Sequence, residues 1–162
     1  MSPRERIALV NFRDGSNCAQ SVLSAFANDF AIDTAIARGF GAGVGRTGGL
    51  CGSVSGAVMV IGLSTRHIAD NKEGKEKAYA LVREFCETFE ERHGSVICRD
   101  LIGYDAKVPE EWQKAAELNL FAAVCRDFVG DAVVILEELL EREYRTGGVC
   151  RCERADMVFE DD

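Results

Sequence analysis

The stretch from Gly39 to Leu63, GFGAGVGRTGGLCGSVSGAVMVIGL, constrains this chain more than any other. A glycine-dense run opens there onto an almost chargeless apolar segment, with Cys51 at the junction. Glycine loses more backbone freedom on folding than any other residue, so this density points to close backbone approach or unusual dihedrals. Gly52 and Gly56 lie one turn apart on a helix and would bare one face to a neighbouring helix. The run also spells G-x-G-x-x-G at Gly43, Gly45 and Gly48. A dinucleotide site needs a strand before that pattern. The preceding DTAIARGF reads as helix and the lysine of a P-loop is missing, so no nucleotide is expected. The uncharged span from Thr47 to Thr65 contains five glycines and several hydroxyls. That is too weakly apolar for membrane insertion and predicts a buried central helix.

The remaining segments read as amphipathic helices that can surround it. Pro3 opens a short helix with Ile7, Val10 and Phe12 inward, ending near Gly15. Ser16 or Asn17 caps a second, in which Cys18, Val22, Phe26 and Phe30 recur every four residues. Asp33 or Thr34 caps a third, which stops after Phe40. A long helix from Asp70 to Gly94 turns Tyr79, Val82, Phe85, Cys86 and Phe89 inward. SVICRDLIGYD follows as a loop with one helical turn. Pro109 opens a last helical stretch that carries Phe121, Cys125, Phe128, Ala132, Ile135 and Leu139 on one stripe, with a break near Asn119. Residues 1–145 thus predict one all-α domain, a bundle of about five to seven helices around a glycine-rich apolar central helix. Residues 146–162 predict a flexible acidic tail carrying Cys150-x-Cys152.

With 162 residues, 47% of them hydrophobic, the chain can bury a sizeable core in a single domain. Its formal net charge of −8 disfavours nucleic acid and anionic membrane surfaces as partners. The N-terminus has no long apolar run of the secretory kind, so a cytoplasmic location is expected. Seven cysteines in a reducing compartment, an odd number, argue against a structural disulfide framework. Cys18, Cys51, Cys98 and Cys125 each fall at a helix start, at the end of the glycine loop or on an inward stripe. For Cys18 and Cys51 a helix N-terminus is expected to lower the thiol pKa. Free cysteine also packs as a small hydrophobe, which is the reading for Cys86. No spacing matches a C-x-x-C metal or redox motif. His67 and His93 read as capping or surface residues, and Ser53 and Ser55 as small packing residues. Arg46, inside the glycine run, can steer a small anion or simply occupy a surface loop.

NCAQSVL, GLCGSVSGAVMVIGL, SVICRDLIGYD and AAVCRDFV together resemble a small bacterial and archaeal family named for a C_GCAxxG_C_C pattern, over about Asn17 to Val129. The resemblance implies that Cys18, Cys51, Cys98 and Cys125 are the signature cysteines. It places the cysteine-glycine motif at Cys51, Gly52, Ser53 and Gly56, with Ser53 where the family usually has alanine. Gly52 and Gly56 would then flank any bound cofactor. The family is similar to a domain of split-Soret cytochromes, which implies a helical fold and an iron–sulfur cluster. The chain has no C-x-x-C-H, so haem is not carried over. Many members lie beside transporter genes. Three functions follow as expectations. The first is a thiol-based redox protein that exchanges disulfides or electrons with a partner protein or a small thiol or disulfide. The second is a module whose four cysteines ligate zinc or an iron–sulfur cluster. The third is a helical adaptor for a membrane transporter. A homodimer is compatible with each.

Overall fold

The computed structural model describes residues 1–150, and all regular structure among them is helical. The elements are α1 (Pro3–Arg13), α2 (Cys18–Ser24), α3 (Ala27–Phe30), a 3₁₀ segment (Thr34–Phe40), α4 (Gly41–Val44), α5 (Gly52–Ser64), α6 (Asn71–His93), α7 (Cys98–Ile102), α8 (Pro109–Glu117), a π turn (Phe121–Cys125) and α9 (Arg126–Arg145). No helix among the described residues is long and apolar enough to cross a membrane.

Helix α5 is the centre, packed against α2, α6 and α9. Val54, Ala57, Val60 and Ile61 are fully buried along it. Its contact with α2 is a contact of backbones: a Cβ on Gly56 would lie 2.7 Å from the Ala19 carbonyl oxygen, and one on Gly52 would lie 2.9 Å from the Cys18 Cβ. Only hydrogen fits at either place. The close seam has a functional consequence, because it sets the N-terminus of α2 beside the N-terminus of α5.

Local chemistry fixes the helix starts. Ser2 Oγ accepts from the Glu5 N–H at 3.0 Å while Glu5 Oε2 accepts from the Ser2 N–H at 3.1 Å, a reciprocal cap that opens α1. Asn17 and Gln20 repeat that exchange at α2. Asp70 caps α6 through the Glu73 N–H, and Gly94 ends it at φ 85°. The break expected near Asn119 falls at that residue, whose φ is 55°.

Two expected faces differ. In α1 the buried residue is Ala8, with Leu9 and Phe12 beside it, while Ile7 and Val10 are exposed. The small Ala8 lets α1 lie close on α2 and α9, and Arg4 crosses the gap with its guanidinium 4.6 Å from the Phe26 ring. In α6 the inward stripe is Leu81, Phe85 and Phe89, and Tyr79 is 54% exposed. Six positions before Phe85, Tyr79 is rotated about 240° from it, onto the solvent side. At the end of the described residues, Val149 is buried and the Cys150 N–H donates to the Ser64 carbonyl at 2.9 Å. Cys152 and the rest of the expected tail lie outside the described residues.

Candidate functional site

Four cysteines from four parts of the chain line one cavity of about 400 Å³. Cys18 is the first residue of α2, and Cys51 is the N-cap of α5. The α2–α5 seam brings these two together. Cys98 arrives by a different device. Leu50 and Ile97 form an isolated antiparallel bridge, in which the Cys51 N–H donates to the Val96 carbonyl at 2.8 Å and the Cys98 N–H donates to the Gly49 carbonyl at 2.7 Å. Cys125 closes the group from the π turn before α9, where π geometry shifts the register of the inward stripe. It packs with Cys98, Ile102 and Phe128 in a small apolar cluster of its own.

The mouth is shaped by the glycine run, which folds as a left-handed turn rather than a phosphate loop. Ala42, Gly43, Val44, Gly45 and Arg46 have φ of 51°, 66°, 57°, 63° and 68°, and the Gly45 N–H closes the turn on the Gly41 carbonyl at 2.7 Å. Three of these five are not glycine, and each such residue in this region costs about 1–3 kcal/mol. The turn packs tightly on the site, since a Cβ on Gly43 would come within 2.8 Å of the Cys98 Cβ. Trp112 and Phe121 form an aromatic wall with ring centroids 4.4 Å apart, and the Arg46 guanidinium of the turn lies 4.5 Å from the Trp112 ring.

Burial overrides the helix ends in setting the thiol chemistry. Helix N-termini lead one to expect lowered pKa values at Cys18 and Cys51, and the structure reverses that expectation. A hydrogen bond with Cys125, followed by burial, holds Cys18 well above the ordinary thiol range. Burial, then the nearby Cys18, pushes Cys51 up to about 11. Burial, then Cys51, Cys18 and Asp105, pushes Cys98 up to about 12. The backbone N–H groups of Ser53 and Val54 pull the Cys51 thiol the other way. No side-chain cap hydrogen bond closes α5, so their pull is partial. The Ser53 hydroxyl is fully buried and has no aligned hydrogen-bond partner, yet it lies near enough to the Cys51 sulfur to favour its thiolate. Among dense, desolvated neighbours the neutral thiol wins.

No disulfide joins the described cysteines, and no three His, Cys, Asp or Glu side chains among the described residues converge as a metal site requires. As arranged, the four thiols are therefore not a ready cradle for zinc or an iron–sulfur cluster. Gly52 lines the cavity, whereas Gly56 is one turn deeper, against the α2 backbone. Cys86 is half-buried on α6, away from the cavity, and Cys150 packs on the main core. His67 Nδ1 lies 3.2 Å from the Ser64 carbonyl near the end of α5. His93 is not a surface residue. It sits between the Phe89 and Phe128 rings, its Nε2 3.1 Å from Asp131 without hydrogen-bond alignment.

The cysteine pattern has a match among known families. The family described as "Putative redox-active protein (C_GCAxxG_C_C)" matches residues 16–139, most of the chain. The chain belongs to this family. No curated protein and no solved structure matches it. Within the matched region, sequence reasoning singled out the four cysteines but missed Arg38, Trp112 and Phe121 as walls of their cavity. Trp112 and Phe121 carry no local signal, since α8 meets the glycine turn only in the folded chain.

Proposed function

We propose that this member of the redox-active family works by thiol–disulfide exchange, with Cys51 as the attacking thiol and Cys18 as the thiol that resolves the mixed disulfide. The observation that carries this reading is the convergence of Cys18, Cys51, Cys98 and Cys125 on one cavity. Cys51 is the best attacker because the backbone N–H groups of Ser53 and Val54 and the Ser53 hydroxyl together favour its thiolate. Its high pKa leaves only about one molecule in ten thousand ionised near neutral pH, but the thiolate it forms is intrinsically more nucleophilic. Attack on a substrate disulfide forms a Cys51 mixed disulfide and releases one substrate thiolate, which takes up the proton lost by Cys51. Cys18 then attacks the Cys51 sulfur and expels the second substrate thiolate, which takes the Cys18 proton. The protein dithiol is oxidised to a disulfide and the substrate disulfide is reduced to two thiols. Cys125, close beside Cys18, helps to hold that second thiol in its protonated form until the resolving step.

The test is oxidation of the reduced, folded chain with a small disulfide, followed by non-reducing peptide mapping. A bond between Cys51 and Cys18 is expected, and Cys51→Ser should abolish it. Reaction confined to Cys86, Cys150 and Cys152 would overturn the reading. Stoichiometric iron or zinc in protein isolated without oxygen would move the four thiols to ligation instead.

A further inference from the structure

The charges around the cavity are as uneven as its thiols are crowded. Arg38 and Arg46 line it, and no Asp or Glu does, in a chain with 27 acidic and 19 basic residues. Many arginines elsewhere find partners, as Arg4 meets Asp29 at 2.6 Å, Arg92 meets Glu138 at 3.4 Å and Arg142 meets Glu84 at 2.5 Å, although Arg6 and Arg83 do not and neither lines this cavity. The guanidiniums of Arg38 and Arg46 make no hydrogen bond or ion pair among the described residues, and Arg46 is held instead against the Trp112 ring. Nor do they serve the thiols, since burial and neighbouring thiols govern Cys51 and Cys98 with no guanidinium offsetting them. One carboxylate, Asp105, lies against Gly48, where a Cβ would meet its Oδ1 at 2.6 Å, and is close enough to help push the Cys98 thiol up without lining the cavity. Backbone strain also ends at this point, with Arg46 itself held at φ 68°. Such strain persists where the surroundings over-determine it, and it clusters at ligand sites.

Two unpaired guanidiniums at the mouth, aromatic walls behind them and a volume of about 400 Å³ make a site for a small organic molecule. We propose that the cavity binds a small organic anion with a flat apolar body, its charged group taken by Arg38 and Arg46 and its body set against Trp112 and Phe121. As the identity of the substrate that the thiols reduce, an anionic small disulfide, this inference rests on the redox reading above. As a binding site it does not.

Trp112 is the chain's one tryptophan, so its fluorescence lifetime reports this cavity alone. The probes are 4-nitrobenzoate and its neutral counterpart 4-nitrobenzyl alcohol, neither of which can exchange disulfides. Saturable quenching by the anion is expected. Replacing both arginines, Arg38→Gln with Arg46→Gln, should raise its half-saturation at least tenfold and leave that of the alcohol within twofold, and Arg46→Lys should restore part of the loss. Should the double variant fail to fold, Arg38→Gln alone carries the test, with at least a threefold rise expected for the anion only. Non-saturable quenching by nitrobenzoate, or equal weakening of both probes, would overturn the inference. Failure of the redox reading would look different: nitrobenzoate would still saturate the site while oxidation formed no disulfide among the four cavity cysteines.

Discussion

The α2–α5 seam and the α6–α9 face hold the same bundle together by opposite means. At the seam the contact is made by what is missing, with Gly52 and Gly56 letting backbone meet backbone and two helix ends deliver Cys18 and Cys51 to one place. At the α6–α9 face large side chains do the joining: Phe85 and Phe89 from one helix, Phe128, Ile135 and Leu139 from the other. Around that face lies a rim of ion pairs, including Lys77 with Glu143 and Arg142 with Glu84. The difference teaches how a small domain separates stability from chemistry. Apolar area accumulates on the face that carries no site, while the face that carries the site is built for position and tolerates desolvated thiols and a strained turn.

The largest effect should come from the apolar face. Phe85 is fully buried and stacks on Phe89 with ring centroids 6.0 Å apart. Phe85→Ala is expected to cost about 3–5 kcal/mol, through lost transfer energy and a cavity that its neighbours fill only in part. Denaturant unfolding measures it. Phe85 does not line the cavity and reaches its wall only through Phe89 and Phe128, so Cys51 in the variant should keep its reactivity at temperatures where the variant is folded. Loss of Cys51 reactivity in a folded Phe85→Ala protein would break the division between the two regions.

The next effect belongs to the site and depends on pH. The Cys51 thiol is pushed up to about 11 by burial, from an ordinary value of 9.0. A thiol whose pKa is raised by folding binds its proton more tightly in the folded chain. Its contribution is therefore complete below about pH 9 and is lost as pH rises through 11. Two units of displacement correspond to about 3 kcal/mol. The stability difference between the native chain and Cys51→Ala should shrink by roughly that amount across the window. A constant difference would mean that Cys51 is not desolvated in the folded chain.

Legibility in the sequence follows the same division. The central helix, the Gly52–Gly56 face and the start of α2 at Ser16 or Asn17 are local patterns that the sequence shows directly, and the start expected at Asp70 is its cap. The stripe through Phe85 and Phe89 is also local, although Tyr79, which its apolar character assigns to that stripe, faces solvent. The left-handed turn was not legible, because Ala42, Val44 and Arg46 give no local signal for positive φ. The Leu50–Ile97 bridge, which brings Cys98 to the side of the cavity where Cys51 lies, joins segments far apart in sequence and carries no strand pattern. The thiol pKa values went the other way from expectation for the same reason. A helix end is visible in the sequence, whereas the neighbours that desolvate it are contributed by the fold.

A smaller effect tests the seam itself. Gly56→Ala places a methyl 2.7 Å from the Ala19 carbonyl, a backbone atom that cannot turn aside. A cost of about 1–3 kcal/mol is expected, seen as a thermal midpoint lower by roughly 2–4 °C per kcal/mol. The same substitution at Gly62, on the same helix with nothing within 4 Å, should stabilise the chain by about 0.5–1 kcal/mol, because alanine is the better helix former. Equal effects at the two positions would show that helix propensity, and not the seam, governs α5.

The smallest effect should be found at the rim of the apolar face. Arg142 forks onto Glu84 at 2.5 and 2.8 Å, joining α9 to α6, and also reaches Glu143 at 3.1 Å. Arg142 and Glu84 are 51% and 45% exposed, so water and salt screen the pair. Arg142→Gln is expected to cost no more than about 1 kcal/mol at low salt and less at 0.5 M sodium chloride, measured by urea unfolding. A cost above about 2 kcal/mol that survived high salt would show that the α6–α9 face depends on a positioned contact, as the seam does. The contrast between apolar area and placed backbone would then fail at the face where area is expected to suffice.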